Sequence, residues 1–292
     1  MKVKVIVNPA VGEGKRRDVW RRIKIEFERK NWQELQLVYF VSQSPDHTRQ
    51  LAYKAGRENF DMILAVVGDG TAGEAAAGCL ENDMPLAVVP AGTGNAFAAS
   101  VCQTKSTQSL FKALLDPRII QIDVGMMNEK IFLNMAGVGL DALLVNQYQK
   151  SILGRGILGY MFLGLKAAVN FEPFLLEIKT DHEKIQCGAT MVAICNGSFY
   201  GGGLKMASGA VLNDGQLDIC LMEGLTLQET AVLWRSLYHG NHVKHPKVRL
   251  LRSSTLHIKT DPAFYVHRDG DAVGLTPCSV KVLPKALSLI KM

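Results

Sequence analysis

Within the first 90 residues, four short apolar runs each stop at a turn and give way to a helical pattern. Residues 3–7, 35–41, 62–67 and 86–89 are the runs, rich in Val, Ile and Leu and of strand length. Between them, Val19, Trp20, Ile23 and Phe27 recur at helical spacing over residues 14–30. Ser44-Pro45 supplies an N-cap and a first-turn proline for a second helix, and residues 72–80 are an alanine-rich third. Strands this apolar are buried on both faces, so the alternation predicts a parallel sheet covered by helices on both sides, a three-layer α/β arrangement. Ligands of such sheets gather beyond the C-terminal ends of the strands.

The pattern changes after residue 125. Alternating or β-branched runs at residues 131–135, 175–180, 189–195, 217–222, 248–251, 256–260 and 279–283 predict a mainly antiparallel β region. Two helices interrupt it, one over residues 157–169 and one opening with the capping box Thr226-Leu227-Gln228-Glu229. The chain length of 292 residues suits about two domains. The expected division is residues 1–124 and 125–284, with the tail at 285–292 packing back on the first and the active site in a cleft between the two.

A hydrophobic content of 48% excludes a disordered chain. The surplus of 33 Lys and Arg over 27 Asp and Glu, a net charge of +6, suits a polyanionic ligand or an anionic membrane surface without choosing between them. The six cysteines form no C-x-x-C pair and read as buried reduced thiols, which points to the cytoplasm. The N-terminus turns polar at Asn8 and reads as a strand, not a signal peptide. Residues 152–171 are largely apolar, but Arg155, Lys166 and recurring glycines interrupt them, so a core helix, or else a helix that touches a membrane surface, is expected in place of a membrane span.

Three turns after the strands carry chemistry. Asn8-Pro9-Ala10-Val11-Gly12 precedes Lys15, whose charge stands at a helix start; it is not a Walker A loop, because Pro9 holds the first glycine position and Arg16 replaces the Ser/Thr. Gly68-Asp69-Gly70-Thr71-Ala72-Gly73-Glu74 fits G-x-G-x-x-G, yet Asp69 would put a carboxylate beside phosphates. That placement makes sense if a divalent cation stands between them. No acidic residue ends the next strand, which weakens a dinucleotide reading further. The third turn, Pro90-Ala91-Gly92-Thr93-Gly94-Asn95, combines close backbone approach with two hydrogen-bonding side chains. Three such turns on one sheet edge point to a phosphate-bearing ligand.

These turns, together with Asn134-Met135-Ala136-Gly137-Val138-Gly139, Asn213-Asp214-Gly215, Gly240-Asn241-His242 and Asp269-Gly270-Asp271, resemble the diacylglycerol kinase catalytic-domain family. That family includes bacterial diacylglycerol and related lipid kinases, sphingosine kinases and ceramide kinases. The resemblance implies an ATP- and Mg2+-dependent kinase with a membrane lipid as its acceptor, diacylglycerol first and a sphingoid base or other lipid second. It implies nucleotide contacts at Asn8, Pro9, Ala10, Val11, Gly12, Lys15, Ser42, Gly68, Asp69, Gly70, Thr71, Ala72, Gly73, Glu74, Thr93, Asn95 and Asp271. Ser42 stands where the family usually has a threonine. Asp269 matches the catalytic acid–base residue, able to accept the hydroxyl proton, although Asp-Gly is also a hairpin-turn signal. Asp69 would join the magnesium network through water, and Asp214 with the carbonyls of Val211 and Gln216 would hold a second, structural ion.

Three positions depart from the family pattern: Val67 replaces a glycine, Ala96 an aspartate and Asp271 a glutamate. His242 and His245 lack partners for a zinc set and read as a loop near the cleft. A lipid acceptor implies peripheral, transient contact with the inner membrane surface and no nucleic acid, and a homodimer is an assembly the resemblance allows. Two rivals stand beside this reading: an NAD kinase-like enzyme, and a non-catalytic lipid- or nucleotide-binding relative.

Overall fold

Strand β1 (Lys2–Val7) pairs in parallel with β2 (Gln36–Val41) on one side and β3 (Met62–Val67) on the other, and β3 pairs in parallel with β4 (Leu86–Pro90). Helices α1 (Val19–Lys30), α2 (Pro45–Ala55) and α3 (Asp69–Leu80) make the crossovers, followed by the shorter α4 (Ala96–Val101) and α5 (Thr107–Leu115). This computed structural model describes residues 1–8, 19–30, 32–92, 94–101, 106–150, 163–164, 166–201 and 203–292. They fall into two compact units, residues 1–122 with 285–292, and residues 123–284.

In the first unit every residue of β3 is buried, as its uninterrupted apolar run requires of a central strand. Val3, Val5 and Val7 of β1 pack with Ile23 of α1, Leu64 and Phe111 on one face. On the opposite face Lys4 is wholly buried, its Nζ 2.6 Å from Glu58 Oε2 and 4.5 Å from the centre of the Phe40 ring. Pairing that ammonium with a carboxylate and an aromatic face is what makes its burial tolerable. Ser44 caps α2 by accepting from the His47 amide, with Pro45 in the first turn. The C-terminal residues run beside β4, Leu289 opposite Leu86.

The second unit is antiparallel. Its strands are β5 (Arg118–Met127, which begins in the first unit), β6 (Lys130–Phe132), β7 (Met135–Gly139), β8 (Phe174–Thr180), β9 (Lys184–Cys195), β10 (Phe199–Tyr200), β11 (Leu204–Lys205) and β12 (Leu217–Glu223). After them come β13 (Val248–Ser253), β14 (Thr255–Asp261), β15 (Tyr265–Arg268), β16 (Asp271–Leu275) and β17 (Cys278–Lys291). The order β16-β15-β7-β9-β8-β14-β17 forms the main sheet, with β12 between β9 and β13. Strict alternation of buried and exposed residues in β14 marks a sheet with one face to solvent. One core lies among Leu176, Ile178, Val192, Ile219 and Ile258. A second lies under helices α6 (Leu140–Lys150) and α7 (Leu227–Leu237), where Leu140, Leu233 and Leu237 meet Met191 and Met222. Thr226 and Glu229 close the expected capping box of α7.

Cys79, Cys187, Cys195, Cys220 and Cys278 are free thiols, and burial alone pushes those of Cys79 and Cys278 up, Cys278 to about 12. No helix among the described residues is long and apolar enough to cross a membrane, and most of residues 152–171 lies outside the described residues. His242 is fully buried in a short 3-10 turn, its Nε2 3.0 Å from the Met206 carbonyl.

Candidate active site

Because β1, β2, β3 and β4 pair in parallel with Val7 opposite Val41 and Val66, and Val67 opposite Pro90, all four strands end on one edge. The turns at Asn8, Ser42, Gly68 and Ala91 therefore start side by side. The Asn8 side-chain amide donates to Thr71 Oγ1 at 3.0 Å, tying the first turn to the second. The second and third turns are tied by Asp69, whose Oδ2 and Oδ1 accept from the amides of Ala96 and Phe97, each at 3.1 Å. Burial pushes the Asp69 carboxyl above its usual range, while the amides of Ala96, Phe97 and Asn95 pull it back. Position 96 thus contributes its backbone N–H to Asp69 and buries a small side chain, which accounts for an alanine there.

Gly92 lies where a Cβ would come within 2.7 Å of Gly68 Cα, so the two turns touch backbone to backbone. Asn95, at φ 50°, accepts from the Gly92 amide and donates to the Gly92 carbonyl, holding the third turn. Helix α3 starts at Asp69 with Gly68 as its cap and no side-chain cap bond, which leaves the amides of Asp69, Gly70 and Thr71 facing this edge. Ala72 and Gly73 are buried in α3 and Glu74 is half-buried. Val67 is the last residue of β3 and is buried. Ser42 is buried, its hydroxyl bonded to the Ser44 carbonyl (2.9 Å) and Thr48 Oγ1 (2.5 Å); its side chain serves the start of α2. Pro9, Ala10, Val11, Gly12, Lys15 and Thr93 lie outside the described residues.

In the second unit Asp269 and Gly270 form the two-residue turn between β15 and β16, at φ 45° and 86°. Positive φ at both positions is the geometry of a type I′ hairpin, so the turn signal in the sequence is real. The carboxylate is not spent on that turn. Oδ2 accepts from the Leu133 amide (2.7 Å), and Oδ1 from the amides of Asn134 (2.9 Å) and Met135 (3.0 Å). The Asp269 amide returns a bond to the Met135 carbonyl at 2.8 Å. Residues 133 and 134 interrupt the strand between β6 and β7 and make this cradle, which is why the expected single strand at 131–135 is two. Asn134 is held by its own bond to the Phe199 carbonyl, and Asn196 Nδ2 spans the carbonyls of Asp123 and Leu133.

The Asp214 carboxylate has protein partners on both oxygens. Oδ1 accepts from the Gln216 amide at 3.1 Å and Oδ2 pairs with Arg252, while Gly215 donates to Asp123 at 2.6 Å. Val211 is exposed at 47%. Among the described residues no group of three His, Cys, Asp or Glu side chains is placed to hold a metal ion. Asp271 accepts from Gln149 Nε2 at 3.1 Å. Sequence reasoning missed Asp141, His267, Gln149 and Asn196. No local pattern could have flagged them, since their partners lie far away along the chain.

The diacylglycerol kinase catalytic domain matches residues 2–127, and the YegS C-terminal NAD kinase beta sandwich-like domain matches residues 134–291. A diacylglycerol kinase of Mycobacterium tuberculosis (strain ATCC 25618 / H37Rv) is 26% identical over 297 residues, covering 99% of this chain and 95% of the relative. One from Staphylococcus haemolyticus (strain JCSC1435) is 25% identical over 281 residues, covering 94% and 84%. A crystal structure of a diacylglycerol kinase from Bacillus anthracis strain Sterne superposes with a TM-score of 0.74 at 20% identity, covering 100% of this chain and 97% of that one. The fold is therefore the two-unit α/β and antiparallel β architecture of a kinase class. The chain belongs to the diacylglycerol kinase catalytic-domain family.

Proposed function

We propose that this protein is an ATP-dependent lipid kinase that transfers the γ-phosphoryl group to a lipid hydroxyl, with diacylglycerol as acceptor and phosphatidic acid as product. The observation that carries the reading is the edge where Asp69 and Gly92 lock two glycine turns against the open N-terminus of α3. Bare amides at a helix N-terminus favour phosphate oxygens, and the near absence of side chains at Gly68 and Gly92 lets them approach. The relatives named diacylglycerol kinase support the acceptor.

Asp69 suits contact with magnesium through water, its carboxylate being held in place by the amides of Ala96 and Phe97. When bound with the nucleotide, magnesium neutralises charge on the transferring group. Asp214 pairs with Arg252 and accepts the Gln216 amide, so a second ion held there with the carbonyls of Val211 and Gln216 would share its carboxylate with that ion pair. In unit two, Asp269 accepts the hydroxyl proton of the lipid, its carboxylate held in a fixed plane by three amides. Contact with a membrane surface brings the acceptor within reach.

The rival worth separating is phosphorylation of NAD, because the C-terminal unit matches a domain described as NAD kinase-like. ADP release measured with vesicles of diacylglycerol, vesicles of sphingosine, and free NAD decides between them. Turnover on diacylglycerol alone supports the reading, and turnover on NAD alone overturns it.

A further inference from the structure

Helix α6 grips the Asp269–Gly270 hairpin from both of its ends. At the first, Asp141 Oδ2 lies 2.9 Å from His267 Nε2, and His267 stands in β15 two positions before Asp269. His267 is fully buried and Asp141 is 5% exposed. The other Asp141 oxygen accepts from the Ala142 amide at 2.8 Å, which fixes the plane of the carboxylate. At the far end, Gln149 Nε2 donates to Asp271 Oδ1 at 3.1 Å and to the Gly270 carbonyl at 3.3 Å.

The space for the buried pair is kept open by Gly137, which faces His267 across the β7–β15 ladder. A Cβ there would fall 2.1 Å from Asp141 Oδ2 and 2.5 Å from His267 Nε2. One stretch of chain thus does two things: residues 133–135 give Asp269 its amides, and Gly137 makes room for the pair beneath the same hairpin. Packing alone would be served as well by two apolar side chains of similar volume; a buried polar pair adds a fixed orientation. The hairpin needs one, because β16 ends the sheet order and four of its five residues are exposed.

We propose that Asp141, His267 and Gln149 are positioning residues that set where the Asp269 carboxylate stands for proton acceptance. This rests on the kinase reading above, so the test carries a readout that does not need turnover. The amide resonances of Leu133, Asn134 and Met135 report the Asp269 cradle directly.

Gln149→Ala changes an exposed side chain and leaves the core intact. It is expected to move those three resonances and lower kcat about 5-fold. His267→Phe is expected to move them further and lower kcat about 100-fold, and His267→Gln, which keeps a donor, to stay within about 5-fold of wild type. If His267→Phe does not fold, Gln149→Ala and His267→Gln decide. Wild-type resonances and wild-type kcat in Gln149→Ala, or a His267→Gln as impaired as a null, overturn the proposal. A wild type without phosphotransfer to any lipid removes the kinase reading instead, and the resonances still judge the clamp.

Discussion

Replacing Asp269 by Asn separates the two roles the structure gives that carboxylate. A residue acting only as a base would lose activity and keep its stability. The cradle says otherwise, because Leu133 donates to one oxygen while Asn134 and Met135 donate to the other. An asparagine can offer its single oxygen to two of these amides, and its NH2 must then face the third, donor against donor. Hydrogen bonds to a charged group contribute about 1.5–3 kcal/mol each, and the stranded amide adds its own cost, so a loss of about 3 kcal/mol is expected. For a domain of this size that lowers the calorimetric midpoint of the C-terminal unit by about 6–12 °C. Activity should fall as well, by about 100- to 10,000-fold for a lost general base. Calorimetry of purified Asp269→Asn beside wild type is the assay. An inactive variant that melts with wild type would refute the cradle argument.

Three further outcomes are expected. Gly92→Ala forces a Cβ to within 2.7 Å of Gly68 Cα; overpacking of this kind costs about 1–3 kcal/mol, and ATP affinity measured by calorimetric titration should fall about 5- to 150-fold. Asp69 should titrate above its ordinary value of 3.8, followed through the amide shifts of Ala96 and Phe97. A raised carboxyl means the native state holds the proton longer than the unfolded chain, so Asp69 lowers stability as pH rises through that window and the penalty is relieved on acidification; a midpoint below 3.8 contradicts this. Removing magnesium with a chelator should abolish turnover yet leave the melting of the C-terminal unit unchanged, because Arg252 and Asp123 already hold the Asp214 turn; a drop in its midpoint would revive a structural ion there.

What the sequence disclosed follows from how local each signal is. β3 matches its expected limits because six consecutive apolar residues admit one burial, and the start of α2 because Ser44 and Pro45 act within one turn. Helix α3 begins at Asp69, three residues before the expected start, since Gly68 caps it through backbone alone and leaves no side-chain mark. The Asp269-Gly270 pair read as a turn or as chemistry, and the structure shows that the hairpin and the cradled carboxylate are one arrangement. The Asp141–His267 bond joins residues 126 apart, beyond the reach of any periodicity. Ser42 looked like a substitute for a nucleotide-binding threonine by position, but only the structure shows its hydroxyl turned toward Ser44 and Thr48.

Transfer of radiolabel from the γ-phosphate of ATP into mixed vesicles containing diacylglycerol, with magnesium present, bears most directly on what this chain does. Labelled phosphatidic acid made by wild type and absent with Asp269→Asn is the predicted result. Label that stays out of every lipid, or reaches a lipid equally well with both proteins, contradicts it.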